Sequence, residues 1–279
     1  MISKLVLTVL IDNTTDRTGL LNEHGLSIWI EADDRRILFD TGQSDILFHN
    51  ADVLGIDLRT ADSLALSHGH YDHTGGVAPL LAANPSIKAF CHPGIFIPRY
   101  SRQSDGSMRP IGISSRSSDA LHRISDSVNW ITAAKWLTDD ICITGPIPRE
   151  TAFEDTGGDF YLDPDGKKRD PVEDDSSMLF RTQKGICVVT GCCHSGLVNT
   201  LRHIRTLAGN DAFHTIAGGF HLLHASPERI EKTFDFLESI RMKQIVPCHC
   251  TGKGAVEGLK QRFGTKIVHN GAGTRLGIF

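Results

Sequence analysis

Apolar runs separated by clusters of Gly, Asn and Asp open the chain, at Lys4 to Ile11, Leu26 to Glu31 and Arg36 to Phe39. Short β-branched runs bounded by turn residues predict strands, here a meander. A helix is predicted from Ser44 to Leu54, then an apolar run from Ser63 to Leu66, a helix after Gly76 and a strand from Lys88 to Cys91. The stretch from Pro93 to about Trp136 breaks this rhythm, with Arg99, Arg102, Arg109, Arg116 and Arg123 scattered among Ser and Gly. It reads as an insertion, about 93–136, lying over a site. Alternation then returns, with strands at Ile141 to Thr144, Met178 to Arg181 and Gly185 to Thr190. A helix follows with Leu197, Leu201 and Ile204 on one face, then a strand around Thr215. Pro227 behind Ser226 starts a further helix with the stripe Ile230, Phe234 and Leu237, and a strand from Gln244 to Pro247 follows. The second half repeats the pattern of the first, so residues 1–279 are expected to form a single α/β domain.

Composition changes this picture little. Hydrophobic content of 40% and charged content of 22% are ordinary for a folded chain of 279 residues. A net charge of −4, with Lys and Arg dispersed, leaves no footprint for nucleic acid or an anionic membrane. The N-terminal apolar run is too short to span a bilayer and no small-residue cleavage pattern follows it. Seven cysteines, with Cys192 beside Cys193 and Cys248 two residues before Cys250, suit a disulfide framework poorly, so a reducing cytoplasm is expected.

Ser67-His68-Gly69-His70-Tyr71-Asp72-His73 directly follows the apolar run Leu64-Ala65-Leu66 and precedes a helix. It concentrates four metal-binding side chains within six residues, and imidazole and carboxylate donors at about 2.0–2.2 Å suit a transition metal. A solvated His-rich loop is the alternative, but an Asp among the histidines and the preceding buried strand argue against it. Further donors must come from distant strand ends, and His194 in Gly191-Cys192-Cys193-His194-Ser195-Gly196 and His249 in Pro247-Cys248-His249-Cys250-Thr251-Gly252 occupy such places. The cysteines flanking them are read as small buried residues rather than thiolate donors.

The His-x-His-x-Asp-His loop, the preceding Phe39-Asp40-Thr41-Gly42 and the later single histidines resemble the metallo-β-lactamase superfamily across nearly the whole chain. Gly145-Pro146-Ile147-Pro148-Arg149 and the two Cys-His loops resemble, within it, the branch that includes a dihydropterin-forming synthase. The resemblance implies a four-layer αββα sandwich of two similar halves. It also implies one metal on His68, His70 and His194 and a second on Asp72, His73 and His249, with Asp40 supporting them from behind. Family members commonly place a bridging Asp at the end of a later strand, but this chain reads Ala217-Gly218-Gly219-Phe220-His221 there. His221 is the nearest substitute, and three roles are open to it: ligand, substrate contact or loop cap. Without a bridging carboxylate, either one or two ions is compatible with the donors. Zinc is the default ion, with iron and manganese accepted by the same donors.

Bound divalent ions make hydroxide available near neutral pH, so the expected activity is hydrolysis of a small, anionic, phosphate-bearing molecule, with Asp72 steering a proton. Arg149, alone or with the arginines of 93–136 and Lys167 or Lys168, is the candidate anion clamp. Two other functions compete: a transferase consuming a dihydropterin diphosphate and an amine, and a non-catalytic metal-containing sensor. The number of subunits is not written in ligand spacing.

Overall fold

A computed structural model describes residues 1–209, 212–269 and 271–279. Two sheets stack face to face with helices outside each, giving the four-layer αββα sandwich. The first sheet has seven strands in the order Arg275–Ile278, Leu5–Ile11, Ser27–Ala32, Arg35–Phe39, Ser63–Ala65, Lys88–Cys91 and Asn129–Trp130. The second has six, in the order Gln244–Cys248, Phe213–Gly219, Gly185–Thr190, Ser177–Thr182, Ile141–Ile143 and Lys135–Thr138.

Successive side chains on a strand point to opposite faces, and this period of two partitions the core. Ile28 and Ile30, Ile37 and Phe39, Met178 and Phe180, Cys187 and Val189 meet between the sheets. Trp29 and Leu38 turn outward onto the helices Ile46–Val53 and Val77–Ala83. Leu179, Ile186 and Val188 turn outward onto Leu197–Ala208, Pro227–Ser239 and Lys253–Phe263. The strands are therefore apolar on both faces and read as continuous runs in the sequence.

The segment 93–136 contributes to two parts of the molecule. Tyr100–Arg102 and Met108–Pro110 form a small sheet with Phe160–Tyr161 over one end of the sandwich. Helix Ser115–Arg123 packs on Val77–Ala83 through Ala120 and Leu121, and Asn129–Trp130 joins the first sheet beside Lys88–Cys91. The edge strands Lys135–Thr138 and Arg275–Ile278 are short and half-exposed, which leaves them without the apolar run that marks the central strands.

Candidate metal centre

Every candidate ligand lies just beyond the C-terminal end of a strand, where open α/β sheets bind their ligands. Asp40 follows Arg35–Phe39, His68 follows Ser63–Ala65, His194 follows Gly185–Thr190, His221 follows Phe213–Gly219 and His249 follows Gln244–Cys248. The chain must turn sharply at these ends. Asp40, Cys193, His221 and His249 all adopt left-handed backbone, with φ between 47° and 59°. Strained residues of this kind persist where surrounding structure holds them, and functional sites collect them. Glycine is required beside them: a Cβ at Gly157 would lie 1.9 Å from the His221 ring, and one at Gly191 would lie 2.2 Å from Ser67 Oγ.

The structure brings the sequence-derived residues together in two sets. In the first, His68 Nε2 is 3.0 Å from His70 Nδ1, and the His194 ring centroid is 4.7 Å from His68 and 4.9 Å from His70. In the second, Asp72 Oδ2 lies 3.2 Å from His249 Nε2 and 3.7 Å from His73 Nε2. His68 and His73 meet between the sets, their rings tilted by 52° with centroids 4.3 Å apart.

The hydrogen bonds behind the rings decide which nitrogen faces inward. His194 Nδ1 contacts the Thr156 carbonyl at 2.9 Å and His73 Nδ1 contacts Asp40 Oδ2 at 2.7 Å. Both partners only accept, so each Nδ1 carries a proton; the His194 Nε2 keeps its lone pair, and the His73 Nε2 bears one once its own proton has left. Ser67 Oγ donates to Asp40 Oδ2 at 2.7 Å and so accepts from His68 Nδ1 at 2.8 Å. His249 Nδ1 reaches Asn13 Oδ1 at 2.8 Å in the same manner. Four imidazoles thus turn Nε2 toward one centre, the arrangement that partners behind metal-binding histidines produce.

Electrostatics divides the two sets. Burial, reinforced by the neighbouring imidazoles for His68 and His194 and by Arg99 for His70, holds all three well below the ordinary histidine range. They are neutral and ready to donate. Burial also opposes charge on His73, but the Asp40 and Asp72 carboxylates outweigh it and raise its pKa to about 9. Burial would raise Asp72, yet His73, His24 and His249 hold it well below the usual carboxylate range.

A divalent metal fits these residues. His70 Nε2, His194 Nε2 and His221 Nδ1 are buried atoms without a hydrogen-bond partner, a costly state that ligation or a bound polar group would relieve. Described residues form four donor sets, and two of them each include one of these histidines: His68, Cys192 and His194 in one, and Cys192, His221 and Cys250 in another. The other two are His73, Cys192 and His249, and His24, Asp72 and His249. From sequence, Cys192 and Cys250 read as small buried residues rather than donors, and His24 is not considered. Their only sequence signal was adjacency, two cysteines flanking strand-end histidines, while His24 belongs to a distant loop that reaches Asp72 Oδ2 at 3.2 Å.

His221 sits 4.3 Å from the His194 ring, within the cluster. Arg149 takes a different position: its guanidinium donates to the His194 carbonyl at 2.8 Å and to the Pro171 carbonyl, and it lines a neighbouring cleft. Arg102 and Arg109 instead line the histidine-walled cavity, of about 360 Å³, with Tyr71 and Phe160. Phe160, on the small sheet, lies 5.3 Å from both His70 and His194 and covers them with an apolar ring. Glu154 caps the helix after His194, accepting from the N–H groups of Val198 and Asn199 at 2.8 Å each, where Gly196 offers no side chain.

With this geometry in place, comparison with known proteins is decisive. The family profile of the metallo-beta-lactamase superfamily matches residues 22–249. The chain belongs to the metallo-beta-lactamase superfamily. An uncharacterised protein of Methanocaldococcus jannaschii is 32% identical over 276 residues, 98% of this chain and 100% of the relative. The 7,8-dihydropterin-6-methyl-4-(beta-D-ribofuranosyl)-aminobenzene-5'-phosphate synthase of the same organism is 29% identical over 254 residues, 87% of this chain and 85% of the synthase. The crystal structure of Tm1679, described as a metal-dependent hydrolase of the beta-lactamase superfamily, superposes with a TM-score of 0.81 at 30% identity, covering 98% of both chains. Among the described residues, no helix of this metallo-beta-lactamase-fold chain is long and apolar enough to cross a membrane.

Proposed function

We propose that this protein is a metal-dependent hydrolase of a small, anionic, phosphate-bearing molecule, with zinc as its native ion. The observation that carries the proposal is the convergence of imidazole lone pairs on one end of a cavity whose wall bears Arg102 and Arg109. His68, His70 and His194 would hold one ion, and Asp72, His73 and His249 a second. Divalent ions in such a centre acidify water towards a pKa of about 7 and polarise a phosphoryl or carbonyl oxygen.

The chain's own residues supply the rest. Arg109 stands over the Tyr71 ring at 5.2 Å and Arg102 over Tyr161 at 4.8 Å, which places two guanidinium groups on the cavity side of the small sheet. Guanidinium forks match phosphate oxygens and fix substrate orientation. Phe160 excludes water from the imidazole side, which strengthens every charge interaction there. Asp72 faces three imidazoles and is held ionised, so it serves chiefly as a donor and can pass a proton only while one of them yields it. His221, with its Nδ1 unpartnered, is a further polar group able to touch substrate. Seven cysteines without a disulfide support a reducing cytoplasm as the place of action.

The synthase reading stands second. It is favoured by the 29% identical relative and by the neighbouring cleft, which shares Gly157, Gly158 and Asp159 with the histidine-walled cavity. The histidine-walled cavity of about 360 Å³ lies near the lower end of the range of about 300–1,000 Å³ for small-molecule sites and suits one small substrate. The test is turnover of phosphoesters, lactones and pterin diphosphates by zinc-loaded protein, with and without an arylamine acceptor. Hydrolysis without acceptor, abolished by chelation and restored by zinc, is expected, and His68→Ala should lose both bound metal and turnover. Consumption only when the amine is present would establish the synthase instead. Retention of metal and turnover in His68→Ala would reject the ligand assignment.

A further inference from the structure

Among the described residues, Cys192 is the one side chain that joins donor sets in both halves of the centre. Its Sγ joins His68 and His194 in one donor set and His73 and His249 in another, with donor atoms within 4.8 Å of one another in each. It lies 3.1 Å from His73 Nε2, and the residue is only 3% exposed. The loop that carries it is held against the histidine loop by Gly191 and turned by the left-handed Cys193.

Charge makes this position consequential. The first ligand set consists of three imidazoles, and the only carboxylate in the donor sets, Asp72, belongs with His24 and His249. A divalent ion on the first set would carry its whole charge into a buried site, and two such ions would repel across a short gap. An anion between them offsets both terms. Resting on the reading of this site as a metal centre, we propose that the Cys192 thiolate is a shared donor to both ions. On coordination, the thiol S–H bond is broken, sulfur keeps the electron pair and the proton leaves to solvent. At a tetrahedral zinc ion, with about 2.3 Å to sulfur and 2.1 Å to nitrogen, sulfur and nitrogen donors lie about 3.6 Å apart, so the observed sets, within 4.8 Å, need close by about an ångström at most. A soft bridging donor also tilts the centre towards zinc or cobalt and away from manganese.

Cobalt(II) reports the ligand directly, because thiolate coordination adds an intense near-ultraviolet charge-transfer band to the visible bands of the bound ion. In the full chain the charge-transfer band should be present in wild type and in Cys193→Ser, and lost in Cys192→Ser while the visible bands persist. X-ray absorption of wild-type zinc protein, which needs no variant to fold, should show sulfur at about 2.3 Å. Cobalt bound with nitrogen and oxygen donors alone would overturn the role of Cys192 and leave the metal centre standing. Failure to bind cobalt or zinc at all would overturn both. A band lost in Cys250→Ser but kept in Cys192→Ser would assign the sulfur elsewhere and reject the proposal.

Discussion

Asp40 is where a single atom change should do the most damage to metal binding. Its side chain is fully buried. Oδ1 accepts from the Ser67 N–H at 2.7 Å, while Oδ2 accepts from Ser67 Oγ and His73 Nδ1, each at 2.7 Å. Asp40→Asn preserves shape, and asparagine tolerates the left-handed backbone at φ 58°, so the chain should fold. It replaces one acceptor by a two-proton donor, however. With the amide nitrogen at Oδ2, His73 Nδ1 must become the acceptor, its proton moves to Nε2 and the inward lone pair is lost. With the amide reversed, the Ser67 N–H meets a donor. Losing a charge-assisted hydrogen bond costs about 1.5–3 kcal/mol, and removing such support from a metal-binding histidine weakens binding about 10–100-fold, equivalent to about 1.4–2.8 kcal/mol. His68 depends on Asp40 only through Ser67 Oγ and should suffer less. Competitive titration of chelator-stripped protein with zinc against a chromophoric chelator would resolve the two equivalents. The second should weaken within that range and the first by a smaller factor. Wild-type affinity for both equivalents, or a loss confined to the first, would refute the reasoning.

Acidity should separate the same two equivalents. His73 in stripped protein keeps its proton up to about pH 9, whereas His68, His70 and His194 are already neutral. Affinity for the second equivalent should therefore rise about tenfold per pH unit towards 9 and then level, while the first stays nearly flat from neutral pH upward; equal slopes would contradict the assignment. Because the folded-state value of His73 is raised, its contribution to the stability of stripped protein is full below pH 6.5 and is lost as pH climbs through about 9, which urea midpoints across that window would follow. Arg99, 2% exposed, lies 2.9 Å from Asp170 and 2.6 Å from Asp174, and Asp174 also accepts from the Gly69 N–H at 2.8 Å. Arg99→Ala strands two buried carboxylates behind the metal loop and should lower unfolding free energy by about 3–5 kcal/mol in urea titration; a change below about 1 kcal/mol would show that the carboxylates find protons or water at little cost.

Much of the framework was legible before folding. Strand Lys88–Cys91 falls where its apolar run predicts, the strand that precedes His68 is the short buried run Ser63–Ala65, and the strands that precede His194 and His249 carry the β-branched runs expected of buried parallel strands. Local signals of this kind depend on side-chain period and turn chemistry, which a sequence displays directly. Within 93–136, by contrast, Asn129–Trp130 is a two-residue edge strand, too short for any period to mark it. The six candidate donors from His68 to His249 stood out because four of them crowd one loop and two stand at strand ends. Cys192, Cys250 and His24 could not be found in the same way. Whether a cysteine beside a histidine packs into the core or turns to the centre depends on left-handed backbone at Cys193 and His249, and that is imposed by contacts with strands far away in the chain. Arg149 makes the same point in reverse. Its motif marked it as an anion clamp, but only folding brings the His194 and Pro171 carbonyls within reach of its guanidinium. Residue type and spacing determined which chemistry this chain can perform; the direction each donor faces was decided by tertiary packing, because the atoms that hold it belong to other strands.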